Sequence, residues 1–327
     1  MKKMWQANWR NVQLWLGLLL LAACGGGVTG APTPIGQRGG AITLPDGAAA
    51  GQSTPTLAGD ALPEPAEIVT TAVPIENGRS IGDPYIPELG SSHYDVRRYT
   101  LRLALDPAVR RINAEALIEG VSLESELTEI ALDFIGFTID GVLLDGQPAQ
   151  FRREGNKLLV LLPQPRGENN PFRLIIRYSG EPPVHVSNYV RFTELGLTYR
   201  DGYVFTLTEP DGARAWFPAN DHPRDKAQFR FELTVPQGLT AVANGLLRDE
   251  AVQPLPLPEP QASDTFVWQH DFQMAPYLAL VAVGEYERVE APAVNGIQIR
   301  HYIAPEVHDE ALEALTVNGE ALQFLES

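Results

Sequence analysis

Tyr99-Thr100-Leu101-Arg102-Leu103-Ala104-Leu105 places a large apolar side chain at every second position. Side chains of an extended chain point alternately to opposite faces, so this period of two predicts a strand with one buried face. The alternation recurs in Ile130-Ala131-Leu132-Asp133-Phe134, in Phe172-Arg173-Leu174-Ile175-Ile176-Arg177-Tyr178 and in Phe229-Arg230-Phe231-Glu232-Leu233-Thr234-Val235. Asp145-Gly146, Gly155-Asn156, Asp201-Gly202 and Asn244-Gly245 separate these runs and carry turn chemistry. Two continuous apolar runs, Leu158 to Leu162 and Tyr277 to Val283, predict strands buried on both faces. Gln253 to Gln261 reads as a Pro-rich loop between strands, and no amphipathic helical stretch of useful length precedes residue 303. Residues 81–302 are therefore predicted to form an all-β domain, two packed sheets in a saddle or sandwich-like arrangement.

The flanks differ in character. Glu310-Ala311-Leu312-Glu313-Ala314-Leu315 begins a helical pattern that Leu322 and Leu325 continue, so residues 303–327 predict a short helical segment. It reaches Ser327 without a capping residue or proline. The apolar face of such a helix needs a partner, either a following domain or the β-domain itself. Residues 24–80 are rich in Gly, Pro, Ala and Thr and poor in aromatics. Such a segment cannot bury enough apolar surface to offset its ordering entropy and is predicted to be a tether.

Residues 1–23 pair the cationic Lys2, Lys3 and Arg10 with an apolar run from Val12 to Ala23. That run is too short for a spanning helix and reads as an export signal. Leu21-Ala22-Ala23-Cys24 resembles the bacterial lipoprotein processing box, in which the cysteine is lipidated and becomes the new N-terminus. The expectation is an exported protein held to the cell membrane through lipid on Cys24, facing the periplasm or the outside. The other reading is an ordinary cleaved signal with a chance cysteine.

The 327 residues carry 25 Lys+Arg against 41 Asp+Glu, a formal charge of −16. That balance repels phosphates and argues against nucleic-acid partners. Cys24 is the only cysteine, so neither an intramolecular disulfide nor a thiolate cluster can form.

The densest pattern is Thr206-Leu207-Thr208-Glu209-Pro210-Asp211-Gly212-Ala213-Arg214-Ala215-Trp216-Phe217-Pro218-Ala219-Asn220-Asp221-His222-Pro223-Arg224-Asp225-Lys226-Ala227. It resembles the signature of the N-terminal domain of aminopeptidase N-like (gluzincin) zinc metallopeptidases: Glu-Pro-x-x-Ala-Arg, then aromatic-Pro-x-x-Asp-x-Pro and Lys-Ala. Tyr94-Asp95-Val96, Leu132-Asp133-Phe134 and the stretch from Phe272 to Leu280 with Gly284 resemble flanking strands of that domain in the same order.

The resemblance implies a substrate-anchoring domain of an aminopeptidase whose partners are peptide N-termini. Recognition of a free α-ammonium calls for a carboxylate, because charge-assisted hydrogen bonds are strong and directional. The resemblance places that carboxylate at Glu209; the plainer reading is an exposed turn acid before Pro210. Many members carry Gln at the position of Leu207, which cannot hydrogen-bond and here lines either an apolar pocket or the core. Arg214, Asp221, Pro223 and Lys226 read as structural, with a buried Arg214–Asp221 pair holding the loop and Asp225 and Lys226 doing similar work at the surface. Trp216, Phe217 and Pro218 read as core packing, and His222 as a loop histidine.

Zinc peptidases of this kind draw two zinc ligands from His-Glu-x-x-His on one helix. None of the six histidines precedes Glu, and none of the three methionines precedes Glu-Asn as a Gly-x-Met-Glu-Asn loop requires. Gly-x-Ser-x-Gly and P-loop patterns are absent as well. The expectation is a non-catalytic fragment whose zinc belongs to a missing catalytic domain, with the last helix as that domain's beginning. The alternative is a self-standing, lipid-anchored β-domain that binds peptide or protein without catalysis.

Overall fold

The computed structural model of the chain describes residues 78–190 and 194–326. The signal, Cys24 and nearly all of the tether lie outside these residues. Among them run β1 (Tyr94–Leu105), β2 (Ile112–Ser122), β3 (Leu127–Asp133), β4 (Thr138–Leu144), β5 (Gln147–Pro148) and β6 (Phe151–Glu154). There follow β7 (Lys157–Arg166), β8 (Pro171–Gly180), β9 (His185–Val186), β10 (Glu194–Arg200), β11 (Tyr203–Leu207) and β12 (Ala227–Pro236). The remainder are β13 (Thr240–Ala243), β14 (Leu246–Arg248), β15 (Ser263–Met274), β16 (Val281–Gly284), β17 (Glu287–Val294) and β18 (Ile297–Ile303).

The period of two explains the large sheet. In β2 every odd-numbered neighbour of the buried Ala114, Ala116 and Ile118 is half-exposed, and Leu101, Leu103, Leu174, Ile176, Phe229 and Phe231 alternate likewise on adjoining strands. Eight strands run in the order β14-β15-β12-β1-β2-β8-β4-β5. At their centre β1 and β12 pair in parallel, Leu101 opposite Phe231, although more than a hundred residues of chain separate them. A second sheet of five strands has the order β13-β16-β11-β10-β9, and two smaller sheets are β3-β7-β6 and β17-β18. The all-β architecture with a short helical end is thus as the sequence predicts.

Asp145-Gly146 and Asp201-Gly202 both have positive φ at each residue, 51° and 81° in the first, 49° and 84° in the second. This is the backbone of a tight hairpin between paired strands.

Three local expectations need correction. Ile130 to Phe134 is buried at every position rather than alternately, because β3 is covered on both faces. In the run from Leu158 to Leu162 only Leu158, Leu159 and Val160 are fully buried, and Leu161 and Leu162 are half-exposed. Tyr277 and Leu278 are not strand: Pro276 opens a 3-10 turn over Pro276–Leu278, and β16 starts only at Val281.

The helical end divides into α1 (His308–Leu315) and α2 (Val317–Leu325), neither with a buried side chain. They touch the β17–β18 hairpin through His308 Nδ1 and Glu287 Oε2 at 2.9 Å, and through Asn295 Nδ2, which donates to Glu326 Oε2 at 2.6 Å.

Candidate functional site at the sheet crossover

The stretch from Thr208 to Lys226 leaves β11 in the five-stranded sheet and enters β12 in the eight-stranded one. A backbone bridge between Asp133 and Ala219 ties it to β3 of the third sheet. Three sheets therefore meet on this segment, which explains its burial. Trp216 and Phe217 are fully buried; Phe217 meets Tyr99 edge-on at 5.5 Å, and Tyr99 stacks on Phe229 at 5.0 Å. The Tyr178 hydroxyl donates to the Trp216 carbonyl at 2.8 Å, and the Asn220 N–H to the Tyr99 hydroxyl at 3.0 Å. The aromatic residues and Pro218 are core, in keeping with their sequence reading.

Glu209 lies at the exposed start of this segment and Leu207 is half-buried at the end of β11. The Gly212 N–H donates to the Thr208 carbonyl at 2.7 Å, closing a turn around Glu209, Pro210 and Asp211. The Thr208 hydroxyl donates to the Tyr277 carbonyl at 2.5 Å, pinning the turn's other end. Burial raises the Tyr277 phenol above its ordinary value, and the charge of nearby Glu209 raises it further. Tyr277 thus flanks Glu209, a neighbour hidden in the sequence by its place in an apolar run. Glu209 has no ion pair with a described cation.

The ion pairing of the loop differs from the sequence expectation. Arg214 gives Asp221 only its backbone N–H, at 3.0 Å to Oδ2. Its guanidinium goes to Asp211 instead, with Nη2 2.7 Å from Oδ2, and lies 3.5 Å from Glu88. Three residues of tight turn bring Asp211 back under the guanidinium, whereas Asp221 sits beside the backbone where the chain turns into the core. His185 Nε2 lies 3.0 Å from the same Asp211 oxygen. Burial pushes Asp211 up, but hydrogen bonds from His185 and Ser187 and the charge of Arg214 outweigh it, and the carboxyl sits below its ordinary value. Sequence reasoning missed Glu88 and His185, which no local spacing connects, and also Asp211, which stands only three residues before Arg214.

The other motif residues divide by burial. Asp225 is buried rather than at the surface and accepts the Val96 N–H at 3.1 Å and an Asn220 side-chain N–H. Pro223 and Lys226 are exposed, and Lys226 forms no ion pair among the described residues. His222 is buried, accepts the Arg224 N–H on Nδ1 at 3.1 Å and faces Asp83 at 3.4 Å. Burial lowers its pKa, against the opposing pull of Asp83. Among the described residues no group of three or more His, Cys, Asp or Glu side chains could hold a metal ion.

This arrangement has known relatives. Aminopeptidase N of Mus musculus is 26% identical over 189 residues, 55% of this chain and 19% of the relative. Aminopeptidase N of Homo sapiens is 28% identical over 161 residues, 48% of this chain and 16% of the relative. The crystal structure of the M1 zinc metallopeptidase from Deinococcus radiodurans superimposes with a TM-score of 0.60 at 27% identity, covering 68% of this chain and 50% of that one. The chain thus spans less than a fifth of those two curated relatives and half of the bacterial enzyme. The family profile described as Peptidase M1 N-terminal domain matches residues 91–278, from just before β1 through the turn that carries Tyr277. With more than half of its length matched, the chain belongs to the peptidase M1 N-terminal domain family.

Proposed function

We propose that this chain is the substrate-anchoring domain of a zinc-dependent aminopeptidase, in which Glu209 receives the free α-ammonium of a peptide. The observation that carries the reading is an exposed carboxylate on a turn fixed at both ends, with no described cation to neutralise it. A carboxylate so placed recognises a charged amine with direction as well as charge. Leu207, half-buried beside it, offers an apolar surface for the first side chain. Hydrolysis is assigned to no described residue, because among the described residues no group of three His, Cys, Asp or Glu side chains fits a zinc ion. Zinc and the general base belong to a catalytic domain that works with this one, and lipid on Cys24 holds the assembly to the cell membrane, on its extracellular or periplasmic face.

The test pairs this chain with an M1 zinc catalytic domain and follows release of the first residue from a peptide. The full chain alone is inactive, and Glu209→Ala in the assembly lowers kcat/KM by the loss of one charge-assisted contact, about 1.5–3 kcal/mol. Unchanged kcat/KM overturns the role of Glu209, and cleavage by the chain alone overturns the division of labour. Cys24→Ser should move the protein from the membrane fraction to the aqueous one.

A further inference from the structure

We propose that His185 is a positioning residue for amino-terminal recognition, acting through Asp211 to fix the turn that presents Glu209; this rests on the reading of Glu209 above.

His185 occupies β9, a two-residue edge strand of the five-stranded sheet. Its neighbours Val184 and Val186 are 70% and 58% exposed, while His185 is 8% exposed and turned inward. What it meets there is Asp211 Oδ2 at 3.0 Å, the oxygen that Arg214 Nη2 approaches from another side at 2.7 Å. Arg214 Nε also donates to the Asp211 carbonyl at 3.2 Å. Oδ2 thus receives both the Arg214 and the His185 side chains, and Ser187, two residues past His185, adds a further hydrogen bond to the same carboxylate. Asp211 is two residues past Glu209, inside the turn closed between Thr208 and Gly212.

Arg214 and His185 have different consequences. Arg214 lies in the segment that forms the core, so it cannot move without disturbing Trp216 and Phe217. His185 sits outside the main apolar core, on a short edge strand that pairs only with Glu194 and Leu195 of β10. Loss of its N–H would leave the three sheets joined, yet leave the Asp211 carboxylate to Arg214 and Ser187 alone and loosen the Glu209 turn that follows it. A carboxylate displaced by a fraction of an ångström to an ångström loses its alignment with an ammonium long before the domain unfolds.

The experiment titrates the full chain with trialanine and with N-acetyl-trialanine, following binding by NMR chemical-shift changes. The wild type binds the free amine more tightly than the acetylated peptide, and Glu209→Gln removes the difference. His185→Phe, which keeps a ring but no donor, lowers affinity for the free amine about tenfold. His185→Gln, which restores an N–H toward Asp211, recovers most of it. A merely structural role would not follow the donor in this way. Full amine preference in folded His185→Phe overturns the proposal while Glu209 keeps its role. Full preference in Glu209→Gln, or none in the wild type, overturns the underlying reading and the proposal with it. If His185→Phe does not fold, Asp211→Asn weakens the same contact from the other side, and unchanged amine preference there likewise overturns the proposal.

Discussion

Arg214 gives its guanidinium to Asp211 at 2.7 Å and only its backbone N–H to Asp221. Both members of the pair are buried, at 2% and 0% exposure. Removing one partner from a buried pair leaves an uncompensated charge, which costs more than the pair itself contributes. Arg214→Met, similar in volume, should therefore destabilise the domain by about 3–5 kcal/mol in urea denaturation. Adding Asp211→Asn should recover part of the loss, because the stranded charge goes too, and the two effects should fail to add. A loss below 1 kcal/mol for Arg214→Met would mean that Asp211 is held by other groups.

Phe217 anchors the crossover between sheets. It touches the rings of Tyr99, Trp216 and Phe229, which join the motif to β1 and β12. Phe217→Ala should cost about 3–5 kcal/mol, the transfer free energy of the ring plus the cavity left among rigid neighbours. Thermal unfolding followed by circular dichroism measures it. A much smaller loss would show that the three sheets can collapse into the space.

How far the sequence carries can be read from these same residues. Tyr99, Leu101 and Leu103 were legible because one face of β1 meets the core and the other does not, so burial follows the period of the strand. Ile130 to Phe134 broke the rule because β3 is buried on both faces where the crossover segment joins it, through an Asp133–Ala219 bridge to a residue far along the chain. Glu209 is singled out by the resemblance, and its exposure also agrees with the plainer reading of a turn acid before Pro210. The partner of Arg214 was not legible. Spacing offered Asp221, while the choice of Asp211 depends on a turn closed by Gly212, on β9 and on Glu88 more than a hundred residues upstream. Tyr277 was hidden by an apolar run that Pro276 converts from strand to turn.

Gly212 sets the shape of the turn by having no side chain. A Cβ there would lie 2.8 Å from Thr208 Cα, 2.9 Å from Leu195 Cβ and 3.0 Å from the Leu207 carbonyl oxygen. Two of these are backbone atoms, so a methyl group must force the turn open rather than push a side chain aside. Gly212→Ala should cost about 1–3 kcal/mol from overpacking and displace Glu209. In the assembled peptidase kcat/KM should fall with it, whereas Gly202→Ala, at an open hairpin tip, should leave kcat/KM unchanged. Equal effects from both substitutions would remove the special place of Gly212.

The buried carboxyls of Asp221 and Asp225 make the fold sensitive to pH in an unusual direction. Burial, with the neighbouring Asp133 charge, pushes Asp221 up to about 7. Burial also pushes Asp225 up to about 7, against the hydrogen bond from Asn220. In the unfolded chain both ionise near the ordinary 3.8, so between that value and 7 the folded state holds more protons than the unfolded one. Stability contributed by the neutral carboxyls is complete below the ordinary value and is lost as pH rises through the folded one. Between pH 8 and pH 5.5 the Tm should rise by about 5 °C or more in calorimetry, rather than fall as it does where paired carboxylates dominate. Asp225→Asn keeps an oxygen for the Val96 N–H and removes one titration, so its Tm should vary less with pH across the same range. A wild-type Tm that falls toward pH 5.5 would mean that both carboxyls stay ionised in the fold.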